Sequence, residues 1–192
     1  MDEKDTQFLS LKNQFLIAMP TLMDPNFHRS VTFIFEHTKK EGAMGIVINQ
    51  PLDIKLGDVL PQMDIEAEEP SVIDIPVYLG GPVQLEKGFV IHSPLGHWEA
   101  TMPVTEDIGV TTSRDIIMEI AKGRRPARCL IALGYAGWGA DQLEDEIANN
   151  VWLSGPVNPD IILYSPNESR WNSAAEIVGV DTRHVSSDVG HA

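Results

Sequence analysis

A chain of 192 residues, 43% hydrophobic and 22% charged, can bury a sizeable core in one domain without a metal or disulfide staple. Its 28 acidic residues against 14 basic ones leave a net charge of -14, which repels nucleic-acid phosphates and disfavours direct DNA binding. The single cysteine, Cys129, excludes an intrachain disulfide, and no stretch approaches the roughly 20 apolar residues of a membrane span.

The first segment is unlike a signal peptide. Met1 to Asp5 carries three acids and one lysine, and Leu9 to Pro20 is broken by Ser10, Lys12, Asn13 and Gln14, so a cytoplasmic protein is expected. Phe15 to Met19, Val31 to His37 and Ala43 to Asn49 read as short strands, the last two paired as a hairpin across Lys40-Glu41-Gly42. Asn49-Gln50-Pro51 is expected to stop the third strand, because proline cannot donate to a ladder, and Leu52 to Leu60 suggests a short helix ended by Pro61. Residues 61–76 hold Asp64, Glu66, Glu68, Glu69 and Asp74 with no basic residue, which predicts an acidic loop or insertion. They lack the spacing of a calcium loop.

Val77 to Leu79, Gly88 to His92, Trp98 to Met102 and Ile108 to Val110 read as a meander of strands cut by glycine and proline. Thr112 then caps a helix in which Ile116, Ile117, Ile120 and Ala121 share one face, and Gly123 ends it. The basic cluster Lys122, Arg124, Arg125 and Arg128 follows that end, where cations complement the helix dipole. Ala127 to Leu133 predicts a buried strand. After it come a Gly-rich loop, Gly134 to Ala140, and a helix from Asp141 to about Asn149. Val151 to Ser154 returns to sheet, Pro159 to Tyr164 is ambiguous, and Glu168 to Val178 spaces Trp171, Ala174, Ala175 and Val178 as a helix. Residues 185–192 are expected to form a flexible tail.

A strand, glycine loop and helix in that order mark a common place for a ligand. Here Gly134-x-x-Gly137-x-Gly139 reverses the dinucleotide fingerprint, and no Walker lysine follows. Asp141 and Glu144 have the spacing of a capping box, whose carboxylates would satisfy the free amides and repel an anion. A neutral ligand, a cation or a protein surface therefore fits this loop better than phosphate. Leu79-Gly80-Gly81-Pro82-Val83 and Ser154-Gly155-Pro156-Val157 read as tight turns at strand exits. No Gly-x-Ser-x-Gly elbow exists. His92 and His97 are the closest histidine pair, without the further ligands a zinc site needs, so neither a metal nor a cofactor is expected.

Several segments together resemble the AlgH/YqgE family. They are Gly42-Ala43-Met44-Gly45-Ile46-Val47-Ile48-Asn49-Gln50-Pro51, Tyr78-Leu79-Gly80-Gly81-Pro82-Val83, Thr111-Thr112-Ser113-Arg114-Asp115, and Leu133-Gly134-Tyr135-Ala136-Gly137-Trp138-Gly139 with Gln142-Leu143-Glu144. The resemblance runs from Leu16 through Ile162, and the Gly190-His191-Ala192 ending is in character. Arginine is common in the family where Gln50 stands, and Tyr164 to Val185 follows it loosely. The resemblance implies a single compact α/β (α+β) domain over 1–192, with a mixed, largely antiparallel sheet flanked by helices, and the chain length leaves scope for two lobes. It also implies an unassigned biochemical role. Some members are described as transcriptional regulators associated with exopolysaccharide production, but no helix-turn-helix with a basic recognition helix is found here.

Two readings follow. The first is a binding or regulatory protein acting through a protein partner or small ligand, with Asn49, Gly81, Tyr135 and Trp138 as candidate contacts. The alternative is an enzyme of unknown class in a cleft beside residues 134–140, drawing on Asp141, Glu144, His92 and Cys129. No catalytic residue is assigned.

Overall fold

The computed structural model describes residues 8–124 and 126–180. The expected flexible tail at 185–192 lies outside them. Among the described residues ten strands, β1 (Gln14–Ala18), β2 (Val31–Thr38), β3 (Gly42–Val47), β4 (Pro51–Lys55), β5 (Pro76–Leu79), β6 (Val83–Ser93), β7 (Thr101–Pro103), β8 (Gly109–Thr111), β9 (Arg128–Trp138) and β10 (Trp152–Pro156), make one mixed sheet in which eight of nine pairings are antiparallel and only β5–β9 is parallel. Its main order is β10-β1-β2-β3-β9-β6-β8-β7, and β5 joins β4 to β9. This is a single α/β domain with a largely antiparallel sheet, flanked by α1 (Leu56–Val59), α2 (Arg114–Ala121), α3 (Gln142–Ala148), α4 (Pro159–Leu163) and α5 (Arg170–Ile177).

Alternation along the strands sorts the apolar residues into layers. Phe15 and Ile17 of β1, with Phe33, Phe35, Phe89 and Ile91, pack under Ile161, Ile162, Trp171, Ala174 and Ala175 of α4 and α5. The other face carries two clusters. One joins Leu56 of α1 and Ile116 and Ile120 of α2 to Val77, Val90 and Ile131; the other joins Leu16, Ile34, Ala136, Trp138 and Trp152 to Leu143 of α3. Strands covered on both sides need apolar residues at successive positions, which is why β1 and β2 read as near-continuous hydrophobic runs.

The longest departure from the sequence reading is at the Gly-rich loop. Gly134 to Trp138 is not a loop but the second half of the eleven-residue β9. Its first half lies between β5 and β6, and its second half pairs Gly45, Met44 and Ala43 of β3 with Ala136, Gly137 and Trp138. Gly134 has φ 72 and acts as a bulge: Leu130 and Ala132 face the α4/α5 side before it, and Tyr135 faces that side after it. An odd residue thus takes over from even ones. The expected turn at Gly80-Gly81 is instead a crossing. β5 leaves one edge of β9 and β6 begins on the other, so residues 80–82 pass directly over β9. A Cβ on Gly81 would sit 2.1 Å from Tyr135 C, and one on Gly80 would sit 2.3 Å from Gly134 O.

Other expectations shift for local reasons. Only Leu56–Val59 of the expected 52–60 helix is α-helical, since Pro51–Lys55 pairs with β5 and Pro51 begins that strand rather than merely stopping β3. The expected meander after residue 77 fails because β5 is parallel to β9 and β6 pairs β8 rather than β7. Residues 61–76 contain 3-10 turns at Leu60–Met63 and Pro70–Val72 and bury Val72 completely. Ser113, not Thr112, is the residue before α2. The Asp141/Glu144 capping box does not form: Asp141 is left-handed, with φ 63 and no capping bond, and Gln142 Oε1 accepts the Gly139 N–H instead.

α3 is fastened to the sheet by its own acids. Glu146 Oε2 accepts from Trp138 Nε1 at 2.9 Å and from Trp152 Nε1 at 2.7 Å, and Phe27 packs against both indoles. Trp138 is 5% exposed. Trp138→Ala is expected to cost roughly 3–5 kcal/mol in chemical denaturation, as for other large aromatic truncations in cores. A near-neutral result would show that the ring does not hold α3. Gly81→Ala should destabilise by well over the ~1 kcal/mol of an ordinary strand glycine replacement, because its methyl meets backbone rather than a movable side chain.

Candidate functional site

Between α1 and α2, on the same face of the sheet, lies a cavity of about 490 Å³. Val77 of β5, Gly88 and Val90 of β6, and Ile131 and Leu133 of β9 make its floor. Ile54, Leu56 and Val59 form one wall, and Ser113, Arg114 and Ile117 form the other. The space depends on glycine, because a Cβ placed on Gly88 would meet no heavy atom within 4 Å. The rim comes from a register slip. Val83 opposes Tyr135 and Gly88 opposes Leu133, so residues 84–87 bow outward opposite Gly134 and leave Leu85 52% exposed at the mouth.

Polar groups line the rim: Gln62 on the 3-10 turn, Glu86 and Lys87 on the bow, and Thr111 to Arg114 leading into α2. Arg114 Nη2 donates to Asp64 O at 3.5 Å, linking the start of α2 to the end of the 3-10 turn on the opposite wall. Asp115 fastens that end. Its Oδ1 accepts from Ser113 Oγ at 2.5 Å and from the Ile116 N–H, while Oδ2 accepts from the Glu99 N–H. Desolvation pushes this carboxyl up, but the bonds from Ser113, Glu99 and Ile116 outweigh it and hold its pKa below the usual carboxylate value.

Behind Thr111, at the same end, is a buried polar chain. His92 Nε2 lies 2.7 Å from Thr111 Oγ1, which lies 2.7 Å from Thr101 Oγ1, and His92 Nδ1 lies 3.0 Å from Pro94 O. A carbonyl only accepts, so Nδ1 carries the hydrogen and Nε2 accepts the Thr111 hydroxyl. Burial lowers the His92 pKa, against the opposing effect of the Pro94 bond. The imidazole is therefore a neutral, fully used member of the core.

The residues singled out from sequence do not form one site. Asn49 Oδ1 accepts from the Val31 N–H at 2.8 Å and its Nδ2 donates to Arg29 O at 2.9 Å, so its amide joins two strand ends. Gly81 lies against Tyr135, whose ring packs on Phe89 beneath α5's layer, whereas Trp138 faces α3 on the other side of the sheet. His92 and Cys129 are directly opposed across β6 and β9, but Asp141 and Glu144 lie past the far end of β9, roughly 30 Å along the strand. Glu144 Oε1 instead meets His37 Nε2 at 3.0 Å. His97 is exposed while His92 is buried, and among the described residues no three His, Cys, Asp or Glu side chains converge as a metal site would need. Lys122 and Arg124 pair with Glu119, and Arg128 pairs with Asp160. Gly88 was legible only as the head of a short strand; nothing in its neighbours signalled an open floor.

The His92 assignment has a direct check. Its folded pKa lies below the unfolded value near 6.5, so the neutral ring supports the fold above that pH, and this support is lost as pH falls through the folded value. Imidazole nitrogen shifts should show the Nδ1–H tautomer at pH 6.5 and a titration midpoint below it. A midpoint at or above 6.5 would overturn the assignment.

The AlgH-like (DUF179) family profile matches residues 15–183. A UPF0301 protein of Thioalkalivibrio sulfidiphilus is 56% identical over 180 residues, covering 94% of this chain and 96% of the relative. One from Hahella chejuensis is 52% identical over 183 residues, covering 95% and 97%. The solution structure of the AlgH protein from Pseudomonas aeruginosa is 41% identical, with a TM-score of 0.79 over 100% of both chains. Protein DIP2367 from Corynebacterium diphtheriae, 20% identical with a TM-score of 0.67 over 85% of each chain, shows the same fold. A profile match over most of the chain, with relatives above half identity over nearly all of it, establishes that the chain belongs to the AlgH-like family.

Proposed function

We propose that this chain is a cytoplasmic binding or regulatory protein and that the cleft over Gly88 holds a small, largely apolar ligand. The observation that carries this reading is the floor itself: four apolar residues on three strands, Val77, Val90, Ile131 and Leu133, lie around a glycine above which nothing is packed. A space of about 490 Å³ falls within the range of small-molecule sites, and an apolar floor with polar groups placed around its rim is their usual construction. Gly81 and Tyr135 enter the proposal as the crossing that sets where residues 84–87 bow out. Trp138 and Asn49 enter it as supports for the elements on either side of that crossing. A regulatory effect on transcription would be indirect in this reading, since a net charge of -14 opposes contact with DNA.

The enzyme reading has less support, because its candidate groups stand at opposite ends of β9 and both nitrogens of His92 are engaged. The cleft reading is tested by filling the floor. Gly88→Leu should change stability by less than about 1 kcal/mol, since its side chain enters open space. It should also remove saturable shifts of the Ile54, Val77, Ile117 and Leu133 methyl signals on titration with 1-octanol. If the natural sequence shows no saturable shifts, or the variant keeps them, the cleft is not a ligand site.

A further inference from the structure

The opposite face of the sheet holds a cation with no counter-ion among the described residues. Arg170, the first residue of α5, is 6% exposed. Its Nη1 donates to Ile48 O, its Nε donates to Ser165 O at 3.2 Å, and its Cζ lies 5.0 Å from the centroid of the Tyr78 ring. None of the ion pairs among the described residues includes it, and Nη2 has no acceptor among them. Acids are not scarce in a chain with 28 of them against 14 lysines and arginines. Carbonyl oxygens satisfy N–H groups without neutralising the charge, and a guanidinium withdrawn from water without an opposite charge is unfavourable.

A second arginine belongs to the same neighbourhood. Arg29, also outside those ion pairs, has φ 51, and its carbonyl is held by Asn49 Nδ2. Its Cζ lies 4.6 Å from the centroid of Trp171, the residue after Arg170. Consecutive residues of one segment thus meet both arginines: the Ile48 carbonyl accepts from the Arg170 guanidinium, and the Asn49 side chain donates to the main-chain carbonyl of Arg29. Stacking on an aromatic ring orients a guanidinium plane and leaves its unused edge N–H groups for carboxylate or phosphate oxygens; in Arg170, whose Nε and Nη1 already donate to carbonyls, that leaves Nη2, whereas the Arg29 guanidinium makes no side-chain hydrogen bond among the described residues.

We propose that Arg170 and Arg29 form an oxyanion-binding site, taking the carboxylate or phosphate group of a small ligand. The site is separate from the Gly88 cleft, because Tyr78, Ile48 and Trp171 belong to the layer under α4 and α5 while the cleft opens under α1 and α2. Its standing is therefore independent of the cleft's.

The test is a titration of the isotope-labelled full chain with inorganic phosphate and, separately, with acetate at constant ionic strength, following the Nε–H signals of both arginines. A saturable shift at Arg170 is expected with at least one anion. A response to both indicates a general oxyanion site, and a response to one alone assigns the ligand to that class. Arg170→Gln removes two backbone hydrogen bonds and can unfold the domain, so the exposed Arg29→Gln carries the comparison. It should weaken the anion about tenfold, the loss of one modest charge-assisted contact. A linear, unsaturated drift with both anions overturns the site, and an unchanged dissociation constant in Arg29→Gln overturns its two-arginine form.

Discussion

The crossing of residues 80–82 over β9 is the constraint on which the rest of the domain depends. β5 and β6 flank β9 on opposite edges, about 9–10 Å apart at ordinary strand spacing, and only three residues connect them. Going around the end of β9 would take a longer connection. Going over it requires two backbones in direct contact. Gly80, Gly81 and Gly134 meet at this point, where a Cβ on any of them would lie within 2.5 Å of main-chain atoms of the opposite strand. No movable side chain could relieve such a contact, so glycine is needed on both sides of it.

Once the crossing is in place, its effects spread along β9. The bulge at Gly134 changes which residues face which layer, so Tyr135 joins the α4/α5 side and Ala136 and Trp138 join the α3 side. The same irregularity leaves residues 84–87 of β6 opposite a single glycine, and they bow away from the sheet. That bow forms the mouth of the cleft. The floor beneath stays open because α1 and α2 each cover only part of a face shared by β5, β6 and β9, and because Gly88 contributes no side chain to it. The cleft and the crossing are therefore consequences of one backbone arrangement.

Much of the sheet was legible in sequence because its signals are local. β1, β2, β3, β5, β9's first half and β10 are runs of β-branched, aromatic and other apolar residues bounded by turn formers, and α2 shows its apolar stripe and its ending glycine. The misreadings share a cause: long-range pairing decides the conformation. Gly134 to Trp138 contains two glycines, which locally favour a turn, yet hydrogen bonds to β3 draw it into the sheet. Glu144 and Glu146 have the composition of an exposed first turn, but His37, Trp138 and Trp152 lie 107, 8 and 6 residues away and claim their oxygens. The sites were less legible still. Gly88 and Arg170 each look ordinary in their own segments, and their character comes from what the fold places, or fails to place, around them.

This explains why the most distinctive part of the sequence, Gly134 to Gly139, holds no cluster of reactive groups. Glycines there answer to a crossing backbone, and Trp138 answers to Glu146 and the indole of Trp152. A signature of that kind identifies a chain by its architecture. The two sites proposed for ligands lie instead on residues that the architecture leaves incompletely served: a floor glycine with empty space above it, and a buried guanidinium without an anion among the described residues. β5 touches both, since Val77 forms part of the cleft floor and Tyr78, the next residue, stacks on Arg170 from the other face. A four-residue strand held parallel to β9 by the crossing therefore positions a wall of each proposed site. The constraint that makes this fold recognisable is also the one that sets the two proposed sites back to back.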